Sequence, residues 1–248
     1  MWILGLISVG WALPTPLVEI PGGSYRPLYP VDPKQPITEV APFQLEAHPV
    51  TIGQYRAFVA QHPEWAPGAP SAVVADAGYL QSWRLGKAFP DDRPVTEVSW
   101  FAARAYCKSV GRTLPTEDQW ELVARASTDH KDASTDPVWL AEVLAWYGEP
   151  SGTTLPPVKS RPANAWGVYD MYGLVWEWVE DFNNTLVASD ARESGDADES
   201  RFCGVGAISA QDVQDYASFM RIAWRSSLDG KTTTKNLGFR CSVSEGAR

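Results

Sequence analysis

The sequence predicts a single α+β domain, and two observations carry that reading. Side-chain caps announce helices in the N-terminal half, whereas from Leu155 onward prolines, glycines and short apolar runs read as strands and loops with little helix. Neither an internal repeat nor a flexible linker interrupts the 248 residues, a length that buries a sizeable core.

Met1 to Ala12 is apolar, too short to span a bilayer, and carries small residues at Gly10 and Ala12. It reads as a signal peptide over residues 1–12, with 13–248 as the domain, although no Lys or Arg precedes the apolar run. A buried N-terminal strand is the alternative, which Leu13-Pro14-Thr15-Pro16 would continue poorly. The protein is therefore expected in the periplasm or secreted. Leu17 to Tyr25 reads as a strand and a Gly22-Gly23 turn, and Phe43-Gln44-Leu45-Glu46 alternates like a strand. Thr51 caps a helix running through Tyr55, Phe58 and Val59, and Ser99 caps a second through Ala102, Ala103, Tyr106 and Cys107. Thr116 with Gln119 forms a capping box for a third, through Trp120, Leu122 and Ala124.

Composition narrows the function. Apolar residues make up 44% of the chain, so it folds. Twelve tryptophans beside 20 prolines and 19 glycines suggest a loop-rich body pinned by aromatic anchors. The net charge of −9 argues against a nucleic-acid or anionic-membrane surface, and no later run reaches transmembrane length. The acidic run from Asp190 to Glu199 reads as a solvated loop, with a cation site as the alternative. His48, His62 and His130 are scattered without H-x-x-x-H spacing, so a three-histidine iron site has no support. There is no Gly-rich phosphate loop and no G-x-S-x-G elbow.

The stretch from Asn164 to Trp178 is the most informative. It reads Asn-Ala-Trp-Gly-Val-Tyr-Asp-Met-Tyr-Gly-Leu-Val-Trp-Glu-Trp, placing Glu177 between Trp176 and Trp178. A carboxylate buried among indoles needs a counter-charge or a metal, because burying it bare costs several kcal/mol. The stretch resembles the signature N-x-x-G-L-Y-D-M-x-G-N-x-W-E-W. Pro94-Val95, Val98-Ser99-Trp100, Ala105-Tyr106-Cys107, Gly111 to Glu117, Trp120-Glu121 and Asn236 to Cys241 match further segments in order. Together they resemble the formylglycine-generating enzyme, or sulfatase-modifying factor, family from about Val18 to Cys241.

That resemblance implies a C-type-lectin-like domain with unusually little regular structure, and a disulfide between Cys107 and Cys241. Two buried thiols are the alternative if the leader is not a signal. It also implies calcium on the carbonyls of Tyr172, Gly173 and Val175 and the carboxylate of Glu177, although the family asparagine is Leu174 here. An ion pair between Glu177 and an arginine such as Arg240 is the other reading. Family catalysis rests on a copper-binding C-x-x-x-x-C upstream of R-x-x-x-R-S. Here the two cysteine positions fall on Asp212 and Ala217, neither of which supplies the soft thiolate that holds copper(I). The R-G-G-S segment is altered to Cys203-Gly204-Val205-Gly206, or to a gapped equivalent near Ser209. Copper-dependent formylglycine formation is expected to be absent.

The substrate groove would map onto Tyr216, Arg221, Arg225, Ser226 and Asn236, where cations and an amide suit an extended peptide. Both arginines could instead be structural, paired with Glu177 or Asp181. The expectation is an exported relative that modifies or binds a polypeptide or peptide-derived substrate there. The alternative is a non-enzymatic accessory or assembly factor for another exported protein, such as a copper protein. A third reading makes Cys203, the odd cysteine and candidate catalytic residue, a redox thiol or, with Met220, a soft copper site.

Overall fold

A computed structural model describes residues 13–28, 30, 34–149, 154–182 and 213–244. Its first layer is a three-stranded antiparallel sheet in which β1 (Leu17–Ile20) pairs with β4 (Phe43–Glu46), and β4 with β7 (Ser242–Ser244). Between β1 and β4 lies a ladder of β2 (Gly23–Tyr25) with β3 (Thr38–Val40). The turn into β2 demands glycine at Gly22, where φ is +78° and a Cβ would lie 2.4 Å from the Val40 carbonyl oxygen.

The three capped helices form as their caps dictate. Thr51 and Gln54 close a capping box on α1 (Ile52–Gln61), and a one-turn α2 (Gln81–Arg84) follows. The Ser99 hydroxyl accepts from Ala102 N–H at the start of α3 (Trp100–Ser109). Thr116 and Gln119 close a second box on α4 (Glu117–Ala124). One face of α1 and one of α3 meet in an aromatic cluster. Tyr55 stacks on Tyr106 at 5.9 Å, and Phe239 approaches both edge-on. Cys107 on α3 is disulfide-bonded to Cys241 beside β7, with both residues fully buried. The bond ties helix to sheet across 134 residues of sequence.

Two further helices were not expected, and the second lies in the stretch from Leu155 onward that reads as having little helix. The first, α5 (Pro137–Gly148), begins at an Asp136 cap with Pro137 at its first position, a start signal passed over because its apolar residues run almost all round. The second, α6 (Val213–Ser226), is the longest described helix. Its buried face carries Ala217, Arg221 and Arg225, so charge stands where apolar periodicity would have been sought. Apart from α6 and β7, the described residues after α5 have little regular structure: β5 (Trp176–Glu177) and β6 (Leu237–Gly238) pair in parallel over two residues each. Indole N–H groups stitch the loops in compensation. Trp178 Nε1 donates to the Val98 carbonyl at 2.9 Å, and Trp100 Nε1 to the Val179 carbonyl at 3.0 Å. Among the described residues no helix is long and apolar enough to cross a membrane.

Candidate functional site

Glu177 sits on β5 with its side chain fully buried, and its partner is Arg240. Arg240 Nε donates to Glu177 Oε2 and Nη2 to Oε1, each at 2.8 Å, and the Trp120 indole adds a third donor at 2.8 Å. The remaining guanidinium N–H groups reach the carbonyls of Glu46 and Tyr169 at 3.2 and 2.9 Å. Such a bidentate pair neutralises the carboxylate and fixes its orientation. A second cation presses on the same loop: the Arg161 guanidinium lies only 2.4 Å from where a Cβ on Gly173 would stand. The carbonyls of Tyr172, Gly173 and Val175 thus lie on a loop with two guanidinium groups nearby, and the Glu177 carboxylate expected to join them is already paired. The ion-pair reading of Glu177 describes this centre.

Beside it lies a second buried centre, and it corrects the predicted groove. Arg221 and Arg225, each 3% exposed, face inward from α6. Arg221 grips Glu121 on α4 with Nε and Nη2, at 2.9 and 2.7 Å, and Nη1 donates to the Tyr147 hydroxyl on α5 at 3.0 Å. Arg225 Nη1 reaches Glu117 and Glu121 at 3.0 and 3.1 Å, and its guanidinium lies 4.4 Å from the Trp120 ring centroid. The arginines are structural, but their partners are Glu117 and Glu121 rather than Glu177 or Asp181. Asp181 instead accepts from the Glu117 N–H at the start of α4. The missed partners stood in plain view, since Glu117 and Glu121 share one face of a helix at i, i+4 spacing.

The other predicted groove residues separate in the same way. The Ser226 hydroxyl donates back to the Ile222 carbonyl, and Asn236 Oδ1 accepts from the Thr234 hydroxyl. Tyr216, 47% exposed, is the member that faces solvent. Ala217, at the second copper-cysteine position, is 2% exposed and packs against Leu140 and Val143 of α5. The gap left between α5 and α6 there is about 10 Å³, room for one water at most. Cys203, Asp212, the acidic run 190–199 and the leader 1–12 lie outside the described residues.

Electrostatics separates the buried acids. Burial pushes Glu121 upward, but Arg221 and Arg225 together outweigh it and hold its carboxyl below the ordinary value. Glu46 accepts from Arg112 and the Cys241 N–H, with Arg240 acting on it without a hydrogen bond to the carboxylate, and there burial wins: the carboxyl is pushed up to about 7.

The chain matches the model of the sulfatase-modifying factor enzyme 1-like domain over residues 13–245. It is 29% identical to a formylglycine-generating enzyme of Mycobacterium tuberculosis, covering 92% of this chain and 97% of that one. It is 27% identical to one of Thermomonospora curvata, covering 92% and 93%. It is also 27% identical to the mouse protein named inactive C-alpha-formylglycine-generating enzyme 2, covering 99% and 92%. Among solved structures it resembles PvdO from Pseudomonas aeruginosa at 19% identity and a TM-score of 0.50, covering 92% and 94%. It resembles CarF at 17% identity and a TM-score of 0.51, covering 93% and 98%.

Proposed function

The chain belongs to the sulfatase-modifying factor family, and we propose that it is an exported member that binds a polypeptide without oxidising one to formylglycine. The observation that carries this reading is Ala217. It occupies the place of a copper thiolate, buried against α5, with Arg221 one turn further along locked onto Glu121. Among the described residues, no cavity large enough for a peptide cysteine opens beside Ala217. Such a loss has precedent in the mouse relative whose name records it as inactive. Export is supported by the disulfide between Cys107 and Cys241, since such bonds persist in oxidising compartments. A polypeptide partner is the natural remnant of a family scaffold that presents one to a catalytic pair, and the exposed Tyr216 marks the accessible side of α6.

The test is direct. Oxidised protein incubated with a C-x-P-x-R peptide, copper, oxygen and a thiol reductant should leave the peptide mass unchanged. Formation of a peptide aldehyde at the cysteine would overturn the reading.

A further inference from the structure

Residues 13–16 precede β1 and form a strap across the first turn of α1, the residue after β4 and the turn after α3. Gln54 Nε2 donates to the Leu13 carbonyl at 2.9 Å, and the Thr15 hydroxyl donates to Gln54 Oε1 at 3.2 Å. The Ala47 N–H donates to the Pro16 carbonyl at 2.8 Å, and Arg112 Nη1 to the Thr15 carbonyl at 2.7 Å. Leu13 is 81% exposed, whereas Thr15 is fully buried.

The same Arg112 nitrogen donates to Glu46 Oε1 at 2.6 Å, and Glu46 is fully buried. Each member of this ion pair is also fastened to one cysteine of the disulfide. The Arg112 N–H donates to the Cys107 carbonyl at 2.8 Å, and Glu46 Oε2 accepts from the Cys241 N–H at 2.8 Å. The bond between Cys107 and Cys241 therefore sets the guanidinium against the carboxylate. Charge-assisted hydrogen bonds gain most when their geometry is held in advance. The buried Thr15 carbonyl takes a donor from this pair, and stranding it without one costs its full desolvation.

We propose that the Cys107–Cys241 bond is a redox latch for residues 13–16: closing it seats Arg112 on Glu46, and the seated guanidinium holds the Thr15 carbonyl. Closure removes two electrons and two protons from the two thiols. A small-molecule disulfide such as oxidised glutathione accepts them by thiol–disulfide exchange and leaves as two thiols. In the reduced chain the Arg112 guanidinium turns to water, and the strap is free ahead of β1. The latch rests on the disulfide and its two hydrogen-bonded neighbours, not on the polypeptide reading above.

Amide exchange at Ala47, whose N–H bonds the Pro16 carbonyl, reads the docking of the strap. Asp76, whose N–H bonds the Lys231 carbonyl, is the reference, and the readout is the ratio of the two protection factors. The full chain is measured at pH 8, above the value of about 7 to which burial raises Glu46. A stabilising osmolyte in every sample offsets the lost bond. The ratio should fall about tenfold in the Cys107→Ser, Cys241→Ser double variant. Arg112→Met in the oxidised protein should lower it by a similar factor, and so should Glu46→Gln, which keeps an acceptor for the Cys241 N–H. Adding Arg112→Met to the double variant should lower it no further, because both changes open one latch. The proposal is overturned if the double variant keeps the oxidised ratio, if Arg112→Met and Glu46→Gln both keep it, or if the disulfide and Arg112 effects add. A double variant that does not fold also overturns it, since the bond would then build the whole fold rather than latch one segment.

Discussion

Two buried ion-pair centres lie a few side chains apart, and they are built to different rules. Around Arg240 each carboxylate has one guanidinium and backbone or indole donors: Glu177 has Arg240 and Trp120, and Glu46 has Arg112 and the Cys241 N–H. Around Glu121 two guanidinium groups converge on one carboxylate. The consequence is visible in the acids, for burial pushes Glu46 up to about 7 while Glu121 is held below its ordinary value. The number of guanidinium groups hydrogen-bonded to the carboxylate separates the two acids. The first centre fastens the loops that keep the family sequence pattern. The second fastens α6, which keeps Arg221, Arg225 and Ser226 but carries Ala217 where the family resemblance expects a cysteine.

The largest expected effect belongs to the scaffold half. Opening the Cys107–Cys241 bond by a Cys107→Ser, Cys241→Ser double substitution should cost roughly 4–5 kcal/mol in urea denaturation, because it frees a 134-residue loop in the unfolded chain. A loss below about 1 kcal/mol would mean that the bond does not close in the folded protein.

Substituting the two arginines sharpens the comparison. Arg240→Met strands Glu177 with only an indole donor and should cost about 3–5 kcal/mol. Arg221→Met leaves Glu121 paired with Arg225 and should cost less, about 1–3 kcal/mol. Equal losses would show that Arg225 does not share the load at Glu121.

The pH dependence of stability is smaller and has a definite sign. Glu46 titrates higher folded than unfolded, so between about 4.5 and about 7 the folded chain binds the extra proton and stability falls as pH rises. Glu117, Asp170 and Asp181, also raised chiefly by burial, act in the same direction. Glu121 and His48 oppose them, since each contributes stability above its unfolded value that is lost as pH falls through its lowered folded value, and fewer groups act in that direction. The protein should therefore be more stable at pH 5 than at pH 7.5, by on the order of 1–3 kcal/mol. A rise in denaturation midpoint from pH 5 to 7.5 would contradict the assignment of Glu46.

At the small end, Tyr216→Ala on the exposed side of α6 should change stability by less than about 0.5 kcal/mol. A calcium chelator should leave Tm unchanged, because Arg240 already neutralises Glu177. A chelator-induced fall in Tm would restore calcium to the loop at Gly173.

What was legible in the sequence was local. Thr51, Ser99 and Thr116 announced their helices because a capping hydroxyl acts within three residues of itself. The short strands at Leu17–Ile20 and Phe43–Glu46 followed from turn glycine and alternation. Glu177 needed a partner on desolvation grounds alone, and Arg240 was one of the candidates. What was hidden was long-range: Arg221 and Glu121 are 100 residues apart, and nothing in either segment names the other. The α6 helix was missed for the same reason, because its inward face is apolar only once the two guanidinium groups are paired.

The central proposal is that Ala217 on α6 leaves the protein without the family's copper site. It is tested most directly by titrating Cys203→Ser protein with copper(I) against a chromogenic competing chelator. With Cys107 and Cys241 in a disulfide, this variant carries no free thiol. The account predicts that the chelator keeps all the copper. One equivalent of copper(I) retained by the variant would contradict it.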